Sequence, residues 1–217
     1  MNLNSFMPVK IVTGAGCVRQ SGKELAKLGK CCLIVTGKTA AKASGALLDV
    51  TDTLARNGQS WQIFDEIGQN PRLIDCMAAA QMAIECGADF VLGIGGGSAL
   101  DAAKCIAVLA ANPGLTQAQL YAFAWAKAPL KIVAVGTTAG TGSEVTKVSV
   151  ITTPDGRKKS FHHEAIFPVL ALGDPTYTMS LPPLVTRATA VDALAHCAES
   201  FFSRAANHIS RAYAGEF

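Results

Sequence analysis

Short apolar runs recur along the chain, and each is followed by turn residues and then by a stretch with apolar positions at helical spacing. This alternation is typical of parallel strands joined by crossover helices, so it predicts an α/β fold with a doubly wound parallel sheet. The predicted strands are 32–36, 61–64, 90–94, 132–135 and 169–172, and the predicted helices between them are 47–56, 73–86 and 98–111.

The pattern changes after Asp174-Pro175. Leu181-Pro182-Pro183 opens a continuous helix predicted over 184–203, and no strand is predicted after it. We therefore place a domain boundary near residue 180, between an α/β domain over 1–180 and the beginning of a helical domain over 181–217. A segment of fewer than about forty residues rarely supports a core of its own, so the second domain is expected to be incomplete.

Composition agrees with a sheet covered on both faces, since 50% of the residues are hydrophobic and 16% are charged. The net charge is +3 and the longest basic cluster, Arg157-Lys158-Lys159, is expected to be a solvated loop, so no nucleic-acid partner is predicted. No run of about 18 apolar residues is present. The seven cysteines form no CxxC pair and lie mostly in apolar segments. We therefore expect a soluble protein of a reducing cytoplasm, with no membrane partner.

A glycine-rich turn, Gly95-Gly96-Gly97-Ser98, connects the predicted strand 90–94 to the helix 98–111. Three glycines permit positive φ and leave no Cβ to obstruct a ligand, while Ser98 and Asp101 have the spacing of a helix N-cap and its reciprocal partner. A helix N-terminus at the carboxyl edge of a parallel sheet favours a phosphate group. The spacing departs from Gly-x-Gly-x-x-Gly, so the turn alone leaves two interpretations open, a pyrophosphate site or merely a tight connection.

A second loop, over 137–146, follows the predicted strand 132–135 and is rich in glycines and small hydroxyl side chains. Such side chains supply hydrogen bonds to a ribose or a phosphate without adding bulk, and this loop is expected to face the same crevice. The alternative interpretation is a turn-rich loop capped by Ser143.

Asp192 and His196 are four residues apart in the predicted helix 184–203, so their side chains project from one face. An acid and a histidine suit a divalent metal such as Fe²⁺ or Zn²⁺. A catalytic metal normally takes at least three protein ligands, and His208 is twelve residues further along. Taken alone, the pair therefore favours a hydrogen bond on the helix surface over a metal site.

Three segments, taken in order, resemble the iron-containing (group III) alcohol dehydrogenases. They are the glycine turn through Asp101 and Lys104, the loop 137–146, and the Asp174-Pro175, Leu181-Pro182-Pro183 and Asp192-Ala193-Leu194-Ala195-His196 motifs. The resemblance implies a dinucleotide-binding α/β domain, a helical domain, and a metal held between them with Asp192 and His196 as its first two ligands. Lyases of the dehydroquinate synthase type share this architecture, but the loop and the Asp192-x-x-x-His196 step favour the dehydrogenase.

The implied activity is a metal-dependent and NAD(P)-dependent interconversion of a small primary alcohol and its aldehyde. Fe²⁺ or Zn²⁺ would bind the alcohol oxygen as a Lewis acid while the nicotinamide takes hydride from the carbon, so no side chain is assigned a catalytic role of its own. A small alcohol or aldehyde is the implied partner, and a homodimer is one possible assembly. The implied cofactor contacts are Gly96, Gly97, Ser98, Asp101, Thr137, Thr138 and Thr146, together with Asn70 and Lys159.

The chain departs from the family pattern after the first predicted strand. Many members have an aspartate there, which binds the adenosine ribose and repels a 2′-phosphate, whereas this chain has Gly37 and Lys38. Gly37 removes the repulsion and Lys38 can attract the phosphate, so NADP is expected to be accepted or preferred over NAD.

The family supplies its remaining metal ligands as histidines well downstream of the first pair, beyond Phe217, and His162 and His163 lie upstream and cannot replace them. We therefore expect this chain to be the first part of such an enzyme. The alternative is a dinucleotide-binding module without independent catalytic activity.

Overall fold

The computed structural model of the protein describes residues 6–216. Six parallel strands form one sheet in the order β1-β8-β5-β4-β2-β3, and two further strands, β6 and β7, form an antiparallel hairpin. The strands are β1 (Lys10–Thr13), β2 (Cys31–Thr36), β3 (Ser60–Phe64), β4 (Phe90–Gly95), β5 (Lys131–Gly136), β6 (Val148–Thr152), β7 (Lys158–His162) and β8 (Leu170–Gly173).

Helices cover both faces of the sheet and continue after its last strand. Short 3₁₀ helices lie at Ser143–Val145, Glu164–Ile166 and Pro175–Thr178. The α-helices of residues 6–216 are α1 (Cys17–Gln20), α2 (Gly22–Ala26), α3 (Ala40–Ala43), α4 (Ala46–Arg56), α5 (Leu73–Glu85), α6 (Gly97–Ala111), α7 (Gln117–Tyr121), α8 (Pro183–Phe202) and α9 (His208–Gly215).

Two apolar cores form because successive side chains of a strand point to opposite faces of the sheet. Leu33 and Val35 of β2 pack with α5 and α6 on one face. Cys32 and Ile34 pack with α1, α2 and α4 on the other face. Both sets are fully buried, which explains why the strands read as continuous apolar runs.

The doubly wound α/β prediction is confirmed. Each of the five predicted strands and three predicted helices is present, with ends that shift by at most one residue. Three strands were not predicted. β1 is a four-residue edge strand, and the strands of the β6–β7 hairpin, outside the main sheet, have only Ser149, Ile151 and Phe161 buried. The basic trio is also only partly a loop, because Lys158 and Lys159 begin β7, although all three side chains are exposed.

The direction of winding reverses between β2 and β4. The chain leaves β2 toward α4 on one face of the sheet, and it leaves β4 toward α6 on the other face. Ligands of open α/β sheets bind in the crevice outside the carboxyl ends of the strands at such a reversal. The glycine turn lies at this position, because it directly follows β4.

The predicted helix 184–203 is present as α8, and a second helix, α9, follows it. Neither helix has a buried residue within the described chain, in contrast to the helices that cover the sheet. The division of the chain near residue 180 remains a prediction. Across residues 6–216, no helix combines the length and apolarity needed to cross a membrane.

Gly93, in the middle of β4, is a place where the sheet and α6 approach too closely for a side chain. A Cβ at Gly93 would lie 2.9 Å from the Cβ of Ala103 and 3.3 Å from the carbonyl oxygen of Ala99. We therefore expect Gly93→Ala to destabilise the fold by about 1–3 kcal/mol through overpacking, measured by urea unfolding. Gly136→Ala is the matched control, since its nearest neighbour would be at 3.7 Å. Equal unfolding midpoints for the two variants would contradict this account.

Candidate active-site cleft

A cleft of about 1040 Å³ opens at the carboxyl edge of the sheet, next to the winding reversal. It brings together the glycine turn, the hydroxyl-rich loop and the exposed face of α8, which are the three segments that the sequence singled out. Its lining residues are Asn70, Pro71, Gly97, Ser98, Asp101, residues 139–144, Thr146, Val148, Val150, Thr152, Lys158, Ala190, Asp192, Ala193, His196 and Cys197.

The glycine turn and the loop pack directly against each other. A Cβ at Gly96 would lie 3.0 Å from Oγ1 of Thr138, and a Cβ at Gly97 would lie 2.9 Å from Cγ2 of Thr141. Real Cβ atoms essentially never approach a neighbour below 3.0 Å, so a side chain at Gly97 would push the two segments apart, and one at Gly96 would require Thr138 to shift by a few tenths of an ångström. The glycines are therefore required for loop packing as well as for ligand access.

The start of α6 differs from the predicted capping arrangement. The helix begins at Gly97 with Gly96 as its N-cap, and no side chain caps it. The expected pair of Ser98 and Asp101 does not form, because the carboxylate of Asp101 binds the hydroxyl-rich loop instead. It accepts hydrogen bonds from Oγ of Ser143 at 2.6 Å and from the backbone N–H of Val150 at 2.9 Å. The N–H groups of Gly97 and Ser98 are thus left for a ligand, whereas that of Ala99 donates to the carbonyl oxygen of Gly96 at 3.1 Å.

Lys104, on α6, is fully buried beneath the loop. Its Nζ donates hydrogen bonds to Oγ of Ser143 at 2.8 Å, to Oγ1 of Thr146 at 3.2 Å and to the carbonyl oxygen of Val148 at 2.7 Å. The carboxylate of Asp101 lies 3.6 Å from the same nitrogen. Burial lowers the pKa of Lys104 to about 8, against the opposing effect of Asp101.

Two further threonines of the loop, Thr137 and Thr138, do not line the cleft directly. Thr137 is almost completely buried, and its Oγ1 finds no hydrogen-bond partner within the described chain. Its backbone N–H donates to the carbonyl oxygen of Gly95 at 3.0 Å, which ties the loop to the glycine turn. An unpaired buried hydroxyl is costly, and a bound polar ligand is one way to satisfy it.

Asn70 lines the cleft, and its role as a cofactor contact stays a prediction. Its φ of 56° is in the left-handed region, which asparagine tolerates better than most residues. Two hydrogen bonds from Thr152 hold the Asn70-Pro71 step against β6. Oγ1 of Thr152 donates to the carbonyl oxygen of Asn70 at 3.2 Å, and the N–H of Thr152 donates to the carbonyl oxygen of Pro71 at 2.8 Å.

The structure brings Lys158 rather than Lys159 to the cleft. Neighbouring side chains of β7 point to opposite faces, so only one of the two lysines can face it. Lys159 pairs in register with the buried Ile151, and its Nζ lies 4.2 Å from the centre of the Tyr121 ring, on the side of α7. Lys158 pairs with Thr152, which also lines the cleft.

Gly37 and Lys38 follow β2 at the same edge of the sheet but lie outside the cleft. A Cβ at Gly37 would lie 3.0 Å from the carbonyl oxygen of Ile67, so this glycine permits a close approach of the segment after β3. Lys38 is exposed. Nearby, the ammonium of Lys42 lies 2.7 Å from the carboxylate of Asp65, whose pKa is lowered by Lys42 and to a smaller extent by Lys38.

Asp192 and His196 lie one turn apart on α8 and both line the cleft. Nε2 of His196 is 3.6 Å from Oδ1 of Asp192, and the two side chains are 54% and 44% exposed. Two ligands at 2.0–2.2 Å from a tetrahedral metal lie about 3.4 Å apart, so the pair fits two positions of such a site. Across residues 6–216, however, no three His, Cys, Asp or Glu side chains form a metal-binding group.

A glycine also sets the position of α8 over the cleft. A Cβ at Gly140, in the hydroxyl-rich loop, would lie 2.6 Å from the carbonyl oxygen of Thr189. This contact is one turn before Asp192 in the helix. Nδ1 of His196 lies 3.8 Å from Oε2 of Glu199, a carboxylate that sequence analysis did not single out. Such a carboxylate can orient the imidazole ring.

The fold and the cleft define a doubly wound α/β protein with a crevice at the carboxyl edge of its sheet. Comparison with protein families matches residues 8–175 to the family described as iron-containing alcohol dehydrogenase. The chain therefore belongs to the iron-containing alcohol dehydrogenase family, which confirms the resemblance of its motifs.

Known proteins of this family are similar to the chain over most of its length. 4-Hydroxybutyrate dehydrogenase of Cupriavidus necator is 40% identical over 179 residues, which are 81% of this chain and 46% of that protein. The crystal structure of an iron-containing alcohol dehydrogenase has a TM-score of 0.95 at 39% identity and covers 100% of this chain and 59% of its own. NADH-dependent butanol dehydrogenase A of Thermotoga maritima has a TM-score of 0.91 at 30% identity, over 99% of this chain and 55% of its own.

The chain spans about half the length of the curated relatives that it matches. The names of the family and of these relatives describe dehydrogenases, which favours the dehydrogenase interpretation over the related lyase. Iron in the family description and NADH in the name of one relative agree with the cofactors expected from the sequence.

The lowered pKa of Lys104 predicts a pH dependence of stability. The ordinary value is 10.5 and burial lowers it to about 8, so above pH 8 the unfolded chain binds more protons than the folded one. Relative to a variant without this lysine, the free energy of unfolding should therefore rise from pH 8 to pH 9 by about 1 kcal/mol. Thiols with raised pKa values, such as Cys86 at about 11, act in the opposite direction from about pH 8 upward, and they do so equally in both proteins.

Denaturant titrations of the wild type and of Lys104→Met at pH 7, 8 and 9 would measure this effect. The free energy of unfolding of the wild type minus that of the variant should increase by about 1 kcal/mol from pH 8 to pH 9. A difference that stays constant over this range would contradict the lowered pKa of Lys104.

Proposed function

We propose that this chain supplies the dinucleotide site and the first two metal ligands of an iron-dependent and NAD(P)-dependent alcohol dehydrogenase. Its substrates would be a small primary alcohol and the corresponding aldehyde. The observation that carries the proposal is the single cleft that joins the N-terminus of α6, the hydroxyl-rich loop and the pair of Asp192 and His196. Assembly as a homodimer stays a prediction.

The cofactor side of the cleft suits an anionic dinucleotide. The N–H groups of Gly97 and Ser98 lie at the start of a 15-residue helix, where the helix dipole favours the negative charge of a pyrophosphate. Thr146 and Asn70 add small polar groups to the lining of the cleft, and Thr137, whose hydroxyl has no partner among the described residues, is hydrogen-bonded through its N–H to Gly95. Asp101 also lines the cleft, but its carboxylate already binds Ser143 and Val150. We assign it to holding the loop.

The metal side of the cleft is formed by α8. Asp192 and His196 would hold the metal, and Glu199 would orient the imidazole ring of His196. When bound, the metal would act as a Lewis acid on the alcohol oxygen, and the nicotinamide would exchange hydride with the alcohol carbon. The contact of Gly140 with Thr189 would set the distance between these two sides of the cleft.

A charge reversal at Ser98 tests the dinucleotide site. Ser98→Glu puts a carboxylate beside the helix N-terminus, which repels a pyrophosphate while it remains favourable for the helix itself. Ser98→Gln is the matched control of nearly equal size. We expect Ser98→Glu to weaken binding of NADH or NADPH at least about tenfold relative to Ser98→Gln, measured by nicotinamide fluorescence. Equal affinities of the two variants would contradict a pyrophosphate at this turn.

The preference between cofactors is a separate prediction. Lys38 lies beyond the carboxyl end of β2, where a 2′-phosphate of NADP would meet no carboxylate from position 37. We propose that NADP is accepted or preferred. Lys38→Ala should weaken NADPH about fivefold and leave NADH unchanged, since an exposed ion pair contributes up to about 1 kcal/mol.

Lys30→Ala is the control for the loss of one positive charge, because Lys30 precedes β2 at the opposite edge of the sheet. Titrations of each variant with both cofactors would decide the point. Tighter binding of NADH than NADPH by the wild type, with NADPH binding intact in Lys38→Ala, would exclude the preference.

Turnover distinguishes the enzyme from a module that only binds the dinucleotide. The assay adds a short aldehyde and Fe²⁺ or Zn²⁺ to the chain with NADPH or NADH and follows the loss of nicotinamide absorbance. Metal-dependent oxidation that is lost in His196→Ala would support the dehydrogenase. Cofactor binding without any oxidation would favour the module, and absence of binding would refute both.

A further inference from the structure

The hydrogen bonds around Lys104 fix the orientation of two hydroxyl groups. A lysine ammonium has three donors and no acceptor. The three partners of Nζ are Oγ of Ser143, Oγ1 of Thr146 and the carbonyl oxygen of Val148, so all three donors are used. Each hydroxyl oxygen must therefore act as an acceptor toward Lys104, and its own proton must point elsewhere.

The two hydroxyls differ in where that proton can go. Oγ of Ser143 donates to Oδ1 of Asp101 at 2.6 Å, so Ser143 is satisfied within the protein. Thr146 lines the cleft, and its Oγ1 donates no hydrogen bond to any group among the described residues. The positive charge behind Thr146 repels the hydroxyl proton and polarises the O–H bond. The proton is therefore directed into the cleft.

We propose that Lys104 is a positioning residue that presents the hydroxyl of Thr146 as a hydrogen-bond donor to an acceptor oxygen of the bound dinucleotide. The inference rests on the proposed function, because it needs a dinucleotide in the cleft. It assigns to a completely buried lysine a role that acts through its neighbour, since Lys104 itself does not line the cleft.

The arrangement around Lys104 differs from that of a simple buried ion pair. Asp101 is the nearest carboxylate, yet its oxygen is 3.6 Å from Nζ, beyond hydrogen-bond distance, while two hydroxyls of the loop and the carbonyl oxygen of Val148 in β6 take all three donors. Burying an ammonium is costly unless hydrogen bonds compensate. These three acceptors therefore compensate a large cost, and the hydrogen bond to Thr146 also orients its hydroxyl.

A double-mutant cycle on dinucleotide binding tests the proposal. Thr146→Val removes the hydroxyl at nearly constant shape, Thr146→Ser retains it, and Lys104→Met removes the ammonium. We expect Thr146→Val to weaken binding of the better-bound reduced cofactor about tenfold, since a lost charge-assisted hydrogen bond is worth about 1.5–3 kcal/mol. Thr146→Ser should bind within about twofold of the wild type.

The coupling between the two positions is the decisive readout. In the Lys104→Met background, Thr146→Val should change the dissociation constant less than about twofold, because the hydroxyl is no longer oriented. Multiplication of the two separate effects, or wild-type affinity of Thr146→Val, would overturn the proposal. Failure of the wild type to bind either cofactor would instead refute the proposed function.

A pH series keeps the test independent of the folding of Lys104→Met. Burial lowers the pKa of Lys104 to about 8, and the charged groups that act on it are Asp101 on its own helix and Glu144 on the loop. The ratio of the dissociation constants of Thr146→Val and the wild type should therefore fall from pH 7 to pH 9, as the ammonium loses its proton. A ratio that stays constant over this range would also overturn the proposal.

Discussion

The cleft depends on the register between β4 and β5. Gly95 and Gly136, the last residues of these adjacent parallel strands, are paired, so both strands end at the same level. The N–H of Thr137 extends this pairing by one hydrogen bond, to the carbonyl oxygen of Gly95 at 3.0 Å. The glycine turn and the hydroxyl-rich loop consequently leave the sheet side by side. They pack so closely that Gly97 has no room for a Cβ and Gly96 has room only if Thr138 shifts.

Close packing alone would not determine the conformation of a loop that is rich in glycines, because such residues have many accessible conformations. Lys104 supplies the missing constraint. Any rearrangement of the loop would strip hydrogen bonds from a buried ammonium, and the free energy cost of an unsatisfied buried charge is large. Hydrogen bonds from the buried ammonium of Lys104 therefore stabilise the conformation of the loop that would contact the cofactor. The hydrogen bond from Ser143 to Asp101 adds to them.

The main sheet could be predicted from the sequence because its strands are buried on both faces, which produces continuous apolar runs between turn residues. The β6–β7 hairpin was not predicted, because four of the five residues of β7 are exposed and only Phe161 is buried, so β7 has no apolar run. The alternation of side chains along β7 explains why Lys158 and not Lys159 lines the cleft, since neighbouring residues of a strand point to opposite faces. Family motifs indicated Lys159, whereas the register places Lys158 at the cleft.

The candidate site was likewise predictable only where its parts are local. The glycine turn and the pair of Asp192 and His196 are each encoded within a few residues, so their spacing is visible in the sequence. The hydrogen-bond partners of Lys104 are 39 to 44 residues away along the chain, so no local sequence pattern predicts them. The predicted capping pair of Ser98 and Asp101 was wrong for the same reason, because the carboxylate of Asp101 binds Ser143, 42 residues away, and not the N-terminus of its own helix.

The two sides of the cleft differ in burial within the described residues. The cofactor side rests on fully buried strands and the buried Lys104 network, whereas α8 has no buried residue within the described chain. Hydride transfer requires the reacting atoms to approach to about 3–3.5 Å, so the distance between the two sides matters as much as either side alone. In this structure that distance is set where Gly140 meets the carbonyl oxygen of Thr189, a contact that leaves no room for a Cβ. Under the proposed function, Gly140 therefore places the metal-ligating face of α8 over the cofactor, because any larger residue there would lift the helix away from the loop.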